Sequence, residues 1–457
     1  MQNREHWGSK LGFILAAAGS AVGIGNIWKY PHMAGQNGGA AFTIVYLLCI
    51  LVVGLSIVIA EFAIGRKTQL SPVGAFEMLA PGSNWKWVGF LGVASAFVIL
   101  SFYGVVGGWI MKYVTISLTG GFEALKNDPE AAEALFGSFV SSTWGPVVWQ
   151  VLFMAICVYV IVNGVKGGIE KWSKIMMPLI ILLLIVLAVR GLTLPNGSEG
   201  ITFLFQPKFE DLNASSIVLA LGHSFFTLSL GMGTMITYGS YLHKDQNLLS
   251  SALWVIFLDT AIAMLAGVAI FSTVFALNAD PAGGAGLIFF ILPSVFPQLA
   301  GGAVWGTLFF FLLFMAALTS AISILEVVTA YFIDQKGWSR KKATIQFGVI
   351  ISVVGIFCSL SMGGGINITA WLGMSFFDFM DYLSSKYMLP IGGMFTALFV
   401  LYRWGVPAFL DDLHQGMIGK KLDSRIVSVL LIISALVVGF ILMNEIIAKL
   451  TGITIVG

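Results

Sequence analysis

The stretch Gly19-Ser20-Ala21-Val22-Gly23-Ile24-Gly25-Asn26 places three glycines and an asparagine inside the first long apolar run of the chain. In hydrocarbon an unpaired backbone amide or carbonyl costs several kcal/mol, so a helix breaks there only where the break lines a cavity. A second such stretch, Ser229-Leu230-Gly231-Met232-Gly233, follows about 200 residues later inside another apolar run. Paired interrupted spans in corresponding halves of one chain point to a binding site at the membrane midplane.

Composition agrees with a membrane setting. The 457 residues are 58% hydrophobic and only 10% charged, with a mean hydropathy of +0.93. Soluble domains carry about 25% charged residues, so this is an all-α polytopic membrane protein. Eleven spans are predicted, at 10–34, 40–65, 87–115, 144–163, 168–191, 214–241, 248–276, 301–333, 340–360, 370–401 and 424–449. Of the 24 Lys and Arg residues, 17 fall on one side of these spans and 5 on the other. The bias predicts a multi-pass protein of the cell membrane with its N-terminus in the cytoplasm and its C-terminus outside. A net charge of +2 without a clustered basic face gives no reason to expect nucleic acid. Cys49, Cys157 and Cys358 all lie in apolar runs and read as free thiols. His6, His32, His223, His243 and His414 show no metal or nucleophile–base spacing, which argues against an enzyme. The glycosylation-type triplets at Asn196, Asn213 and Asn367 carry little weight.

Unwinding at Gly19 to Gly23 would free carbonyl oxygens, which suit a small hard cation, and expose the amides of the next half-helix, which suit a carboxylate. A glycine-rich packing surface is the bland alternative, and the second break weighs against it. Before that break, Thr227 and Ser229 supply oxygens and Phe226 an aromatic wall, although Thr and Ser in membrane helices often bond back to their own helix. A third cluster, Ala316-Ala317-Leu318-Thr319-Ser320-Ala321, is either a close helix contact or a set of cation ligands, or both. Glu61, Asp259, Lys29, Asp378, Asp381 and Lys386 are charges within spans, where each costs about 2.5–3.5 kcal/mol on insertion scales. Asp259 has only Phe257, Leu258, Thr260, Ala261 and Ile262 around it in sequence, so it needs a cation from elsewhere, and sodium would serve. His223 is either a satisfied polar helix residue or a modulator of the ion response.

Arg4-Glu5-His6-Trp7, Gly19 to Pro31, Asn37-Gly38-Gly39, Gly167-Gly168-Ile169-Glu170, Phe225 to Gly233, Lys244-Asp245-Gln246 and Leu318-Thr319-Ser320 together resemble the neurotransmitter:sodium symporter family, the group with the LeuT fold. The likeness covers nearly the whole chain, and eleven spans resemble the shorter bacterial subgroup. It implies one transporter domain over 1–457, with inverted five-helix repeats at about 10–191 and 214–401 and an extra helix at about 424–449. It further implies sodium-coupled symport with two Na+ ions. The first ion would be held by Ala21, Asn26, Thr227, Asp259 and the substrate carboxylate. The second would be held by the carbonyls of Gly19, Val22 and Ala316 and the hydroxyls of Thr319 and Ser320.

By the same resemblance, the substrate pocket comprises Ser20, Ala21, Ile24, Gly25, Ile99, Tyr103, Phe226, Thr227, Ser229, Met232, Ser320 and Ile324, with Tyr103 and Phe226 as an aromatic lid. Lys29 and Asp381 would form the outer gate. Arg4 and Asp334, with Trp7, Ser240 and Tyr241, would form the inner one. The spacing from Gly168 to Pro178 resembles the family's helix-unwinding element, which lets water reach the second ion from inside. Lys29 departs from the family's usual arginine, and Asp259 from its usual asparagine, while Ala263 stands at the position that sets chloride dependence. Asp259 is therefore expected to supply the compensating charge and make transport chloride-independent. Gly23 occupies the position where monoamine carriers bear an aspartate. The expected substrate is thus a neutral, hydrophobic or aromatic L-amino acid, with a β- or γ-amino acid such as taurine as the alternative. An ion channel, the rival class, would need a continuous polar pore instead of one midplane pocket. Oligomeric state is left open.

Overall fold

The computed structural model describes residues 4–277, 286–363, 373–417 and 421–451, with side chains as far as 447. The triplet at Asn367, residues 370–372 of the tenth predicted span, Lys420 and the side chain of Lys449 lie outside the described residues.

Each apolar run becomes a helix, because only a helix pairs its own backbone groups in lipid. The first is split into Lys10–Ala21 and Gly25–Gln36, bent by 51° (together α1). Ala40–Thr68 (α2), Lys86–Leu118 (α3), Gly145–Val162 (α4) and Val165–Leu192 (α5) complete the first half. The sixth is split into Ala214–Thr227 and Thr234–Gly239 (α6). Leu248–Ala276 (α7), Gly302–Lys336 (α8), Arg340–Ser361 (α9), Phe376–Leu413 (α10) and Ser424–Ile447 (α11) follow. Nine long helices and two broken ones make the eleven predicted spans among the described residues. The tenth begins at Phe376 and not at 370, because Ser375 caps it by accepting the Asp378 amide. It also runs to Leu413, beyond the expected 401.

The broken helices sit at the centre. α1 touches α5, α7 and α8, while the two parts of α6 lie against α2. α8 is buried along 83% of its apolar window and α11 along 28%, so α8 is core and α11 periphery. Around the centre the ladder widens into π-helical turns at Gly25–Lys29, Ile50–Gly54, Val165–Glu170 and Ser384–Met388. Such turns concentrate at functional sites. On one side a surface helix, Pro129–Ser141, stacks Phe136 on Phe289 at 4.8 Å, and Phe289 meets Trp28 and Trp109 at 5.6 and 6.2 Å. This aromatic cover closes that end of the centre.

Candidate substrate and sodium site

The first helix persists through Gly19, Ser20 and Ala21, so the break lies at Val22 to Ile24 and not at Gly19 to Gly23 as expected. The reason is local. The Gly23 amide is taken by Asn26 Oδ1 (3.1 Å) and the Ile24 amide points at the Tyr103 hydroxyl (3.4 Å). The Ser20 carbonyl accepts instead from Ser229 Oγ (2.9 Å) and Ser320 Oγ (3.1 Å). In α6 the break runs from Leu228 to Gly233, with positive φ at Ser229 (53°), Gly231 (75°) and Gly233 (76°). Glycine reaches that region without steric penalty, which is why Gly-Met-Gly marks the break.

Between the breaks lies a narrow cavity of about 20 Å³. Eleven of its twelve lining residues are predicted ones: Ser20, Ala21, Gly25, Ile99, Tyr103, Phe226, Thr227, Ser229, Met232, Ser320 and Ile324. The twelfth is Gly23, and it replaces Ile24, which is buried outside the lining because the helix holds its turn longer than expected. A side chain at Gly23 would begin 2.5 Å from Ser320 Oγ and 3.0 Å from the Tyr103 hydroxyl. Any side chain there would require Ser320 or Tyr103 to move.

Beside the cavity, Asn26, Thr227 and Asp259 converge. Asn26 Nδ2 donates to Asp259 Oδ1 (2.7 Å), and Thr227 Oγ1 donates to Asp259 Oδ1 (3.0 Å) and Asn26 Oδ1 (3.2 Å). Thr227 thus turns away from its own helix. Asp259 is wholly buried, and its ring of partners, completed by Tyr46 at 3.5 Å, contains no cationic side chain. A buried carboxylate left so is costly unless a cation joins it. Three hard oxygens with one negative charge match the needs of a sodium ion.

The other predicted set lies on the far side of the α1 break. Ser320 Oγ and Thr319 Oγ1 each reach the Val22 carbonyl at 3.4 Å, and Thr319 also bonds back to Ala316 O at 2.9 Å. Gly19 packs on Thr319, its missing Cβ falling 3.3 Å from the Thr319 Cβ and 3.3 Å from Met177 Sδ of α5. Only neutral oxygens are present, so this set suits a cation held by dipoles alone.

Two ion pairs flank the centre. Lys29 Nζ lies 3.5 Å from Asp381 Oδ1 and 4.0 Å over the Phe226 ring. At the other end Arg4 pairs with Asp334 (2.5 Å), donates to Ser240 (2.5 Å) and lies over the Tyr241 ring, while Trp7 donates to the carbonyls of Tyr241 and Tyr238.

The partners of three further residues escaped sequence reasoning, and one of the three, Glu326, went unmarked altogether. Glu61 Oε1 accepts the Gly231 amide at 2.8 Å and so pins the α6 break; its lack of a local partner was the available signal. Glu326, buried in α8, takes Arg340 at 2.7 Å and the Tyr241 hydroxyl. His223 corrects the satisfied-residue reading. It is buried against Tyr46, and neither ring nitrogen has a partner among the described residues.

Two broken helices facing each other across a pocket, with oxygen clusters beside it and charge pairs at both ends, fit a secondary transporter of small solutes. The chain belongs to the sodium:neurotransmitter symporter family, whose model matches residues 4–127 and 137–454. It is therefore a sodium-dependent symporter. It is 45% identical to MhsT, solved in complex with L-phenylalanine, with a TM-score of 0.87 over 96% of this chain and 99% of that one. It is 40% identical over 415 residues to the uncharacterized sodium-dependent transporter YhdH of Bacillus subtilis, covering 91% of each. A sodium-dependent transporter of Haemophilus influenzae is 33% identical over 412 residues, covering 87% of this chain and 89% of that one.

Proposed function

We propose that this protein imports a neutral amino acid with an apolar or aromatic side chain, coupled to two sodium ions and independent of chloride. The observation that carries the reading is the pocket lining. At one end, beside the Asp259 cluster, it is lined by Ala21, Thr227 and Gly25, where the second α1 half-helix begins and a carboxylate would sit. At the other it offers Ile99, Phe226, Met232 and Ile324 and no fixed charge. Gly23 supplies no acid in place of a substrate carboxylate, which speaks against a monoamine, which brings none of its own. The L-phenylalanine in MhsT supports the same class.

In this scheme the substrate carboxylate joins Ala21, Asn26, Thr227 and Asp259 around the first ion. Substrate and ion each complete the other's site, which couples their binding. Gly19, Val22, Ala316, Thr319 and Ser320 hold the second ion. Lys29 with Asp381 closes the outer path, and Arg4 with Asp334 the inner one. Two charges entering gain about 4.6 kcal/mol per 100 mV, and tenfold gradients of both ions add about 2.7 kcal/mol. The total supports roughly 10⁵-fold accumulation at perfect coupling.

The test is uptake of radiolabelled L-phenylalanine into reconstituted vesicles, with and without a sodium gradient, in competition with other amino acids, taurine and monoamines. Sodium-driven uptake displaced by leucine or tryptophan is the expected result. Displacement by taurine or a monoamine alone would reject it.

A further inference from the structure

The segment before α1 and the first turn of α5 exchange carboxylates. Glu5 Oε2 accepts the Val165 amide at 2.6 Å, the first N–H of α5, while its other oxygen takes Arg340 at 2.8 Å. Gly164, just before, has φ +85°, a glycine conformation that stops α4 and leaves the Val165 amide without a preceding helical carbonyl. In the other direction Glu170 accepts the Gly8 amide at 2.6 Å, the Ser9 hydroxyl at 2.9 Å and Lys174 at 2.6 Å. Its side chain is only 2% exposed. Gly12 faces the same carboxyl group, so α1 and α5 touch here at the distance that only glycine allows.

These contacts bracket the π-helical turn Val165–Glu170. Such turns are rare and weakly held on their own. Here Glu5 caps one end, and Glu170 at the other draws two of its donors from the segment it holds. Arg4, next to Glu5, is the residue paired with Asp334 and Ser240. If Arg4 lets go and the segment lifts, the Val165 amide loses its cap and Glu170 becomes a buried acceptor short of two donors. Both losses fall on the same turn. Further along α5, Met177 packs on Gly19 beside Thr319 of the neutral oxygen set.

We infer that Glu5 and Glu170 are positioning residues that make release of the N-terminal segment and unwinding of the first turn of α5 a single event. The inference rests on the proposed reading above, in which Lys29 with Asp381 and Arg4 with Asp334 close the two paths, and it adds what ties the inner closure to α5. Neither residue touches substrate or ion. They act through the α5 backbone.

Hydrogen–deuterium exchange of the full-length protein in lipid nanodiscs with NaCl, and without substrate, tests it. Glu5→Ala is expected to speed exchange at residues 165–170 about tenfold, the effect of losing a helix cap of ordinary strength. Glu5→Gln keeps an acceptor oxygen and is expected to stay within about threefold of the parent. The decisive variant is Asp334→Asn, which touches nothing on α5 yet frees Arg4. It is expected to speed exchange at 165–170 by a similar factor and to make a Ser9→Cys thiol labelable from the cytoplasmic side. Unchanged protection at 165–170 in Glu5→Ala overturns the inference. So does a labelable Ser9→Cys in Asp334→Asn with 165–170 still protected. Because exchange is read without substrate, failure of the amino-acid reading in the uptake assay is a separate result.

Discussion

The two oxygen clusters beside the α1 break differ in one respect that governs the rest: the Asp259 cluster carries a full negative charge, and the Thr319–Ser320 cluster carries none. The first is walled by α1, α6 and α7 and opens on the pocket through Thr227 and Ala21. The second lies between α1 and α8, with Met177 of α5 against it. A cation among neutral dipoles is held less tightly than one beside a carboxylate, since charged partners contribute roughly twice as much per contact. On the proposed two-ion reading this difference would order the transport cycle: the charged cluster would bind its ion as a partner of the substrate, and the neutral cluster would bind an ion that α5 can release.

Removing the charge is the harshest way to probe this contrast. Asp259→Ala takes away the only anion of its cluster, and losing one partner of a buried charged pair costs about 3–5 kcal/mol. Sodium-dependent uptake is expected to fall by a factor on the order of 10²–10³, while the purified protein keeps its elution profile and thermal stability in detergent. Uptake retained at unchanged sodium affinity would remove Asp259 from the cluster.

The charged cluster was also the more legible in the sequence. An aspartate amid Phe257, Leu258, Ala261 and Ile262 announces itself, and so do Gly-Met-Gly and the glycines before Asn26. The pocket residues came from the family resemblance, and the cavity lining differs from them in one place. Apolar neighbours cannot tell where a helix yields to a side-chain carbonyl, so the exchange of Ile24 for Gly23 needed the Asn26 and Tyr103 contacts. Long-range partners were invisible for a similar reason. Glu61 meets Gly231 across 170 positions and Glu5 meets Val165 across 160, and no local pattern encodes either meeting. Glu326 went unnoticed because its cation, Arg340, begins the next helix.

A gentler cut falls on the neutral cluster. Each hydroxyl contributes about 0.5–1.5 kcal/mol, so Thr319→Ala with Ser320→Ala is expected to raise the half-saturating sodium concentration about tenfold. Maximal uptake at saturating sodium should recover to within about threefold of the parent. A double variant with parental sodium dependence would leave the charged cluster as the sole ion site.

The ion pairs at either end offer a smaller effect. Lys29 and Asp381 are 27% and 37% exposed and meet at 3.5 Å, whereas Arg4 and Asp334 are 14% and 8% exposed and meet at 2.5 Å. Exposed pairs contribute about 0.2–1 kcal/mol. Lys29→Gln is therefore expected to slow uptake no more than about fivefold, and Arg4→Gln to do greater damage, read as cytoplasmic labelling of a Ser9→Cys thiol. Equal sensitivity of the two variants would erase the asymmetry.

The smallest expected effect is none at all, and it bears most directly on the contrast between the clusters. If Asp259 supplies the negative charge that balances the first ion, no external anion is needed. Replacing chloride with gluconate should then leave uptake within about twofold, less than the 1.4 kcal/mol that a tenfold change represents. Ala263, one turn further along α7, is buried and brings no hydroxyl, while the His223 ring lies tilted 5.1 Å from that of Tyr46, which reaches Asp259 at 3.5 Å. Asp259→Asn sharpens the point, because it keeps the shape and most of the ligand geometry while deleting the charge. Its residual uptake is expected to respond to chloride where the parent's does not, with the imidazole of His223, unpartnered among the described residues, as the donor to an anion. Loss of parental uptake in gluconate would show that the carboxylate does not balance the ion, and the distinction between a charged and a neutral cluster would then no longer explain the coupling.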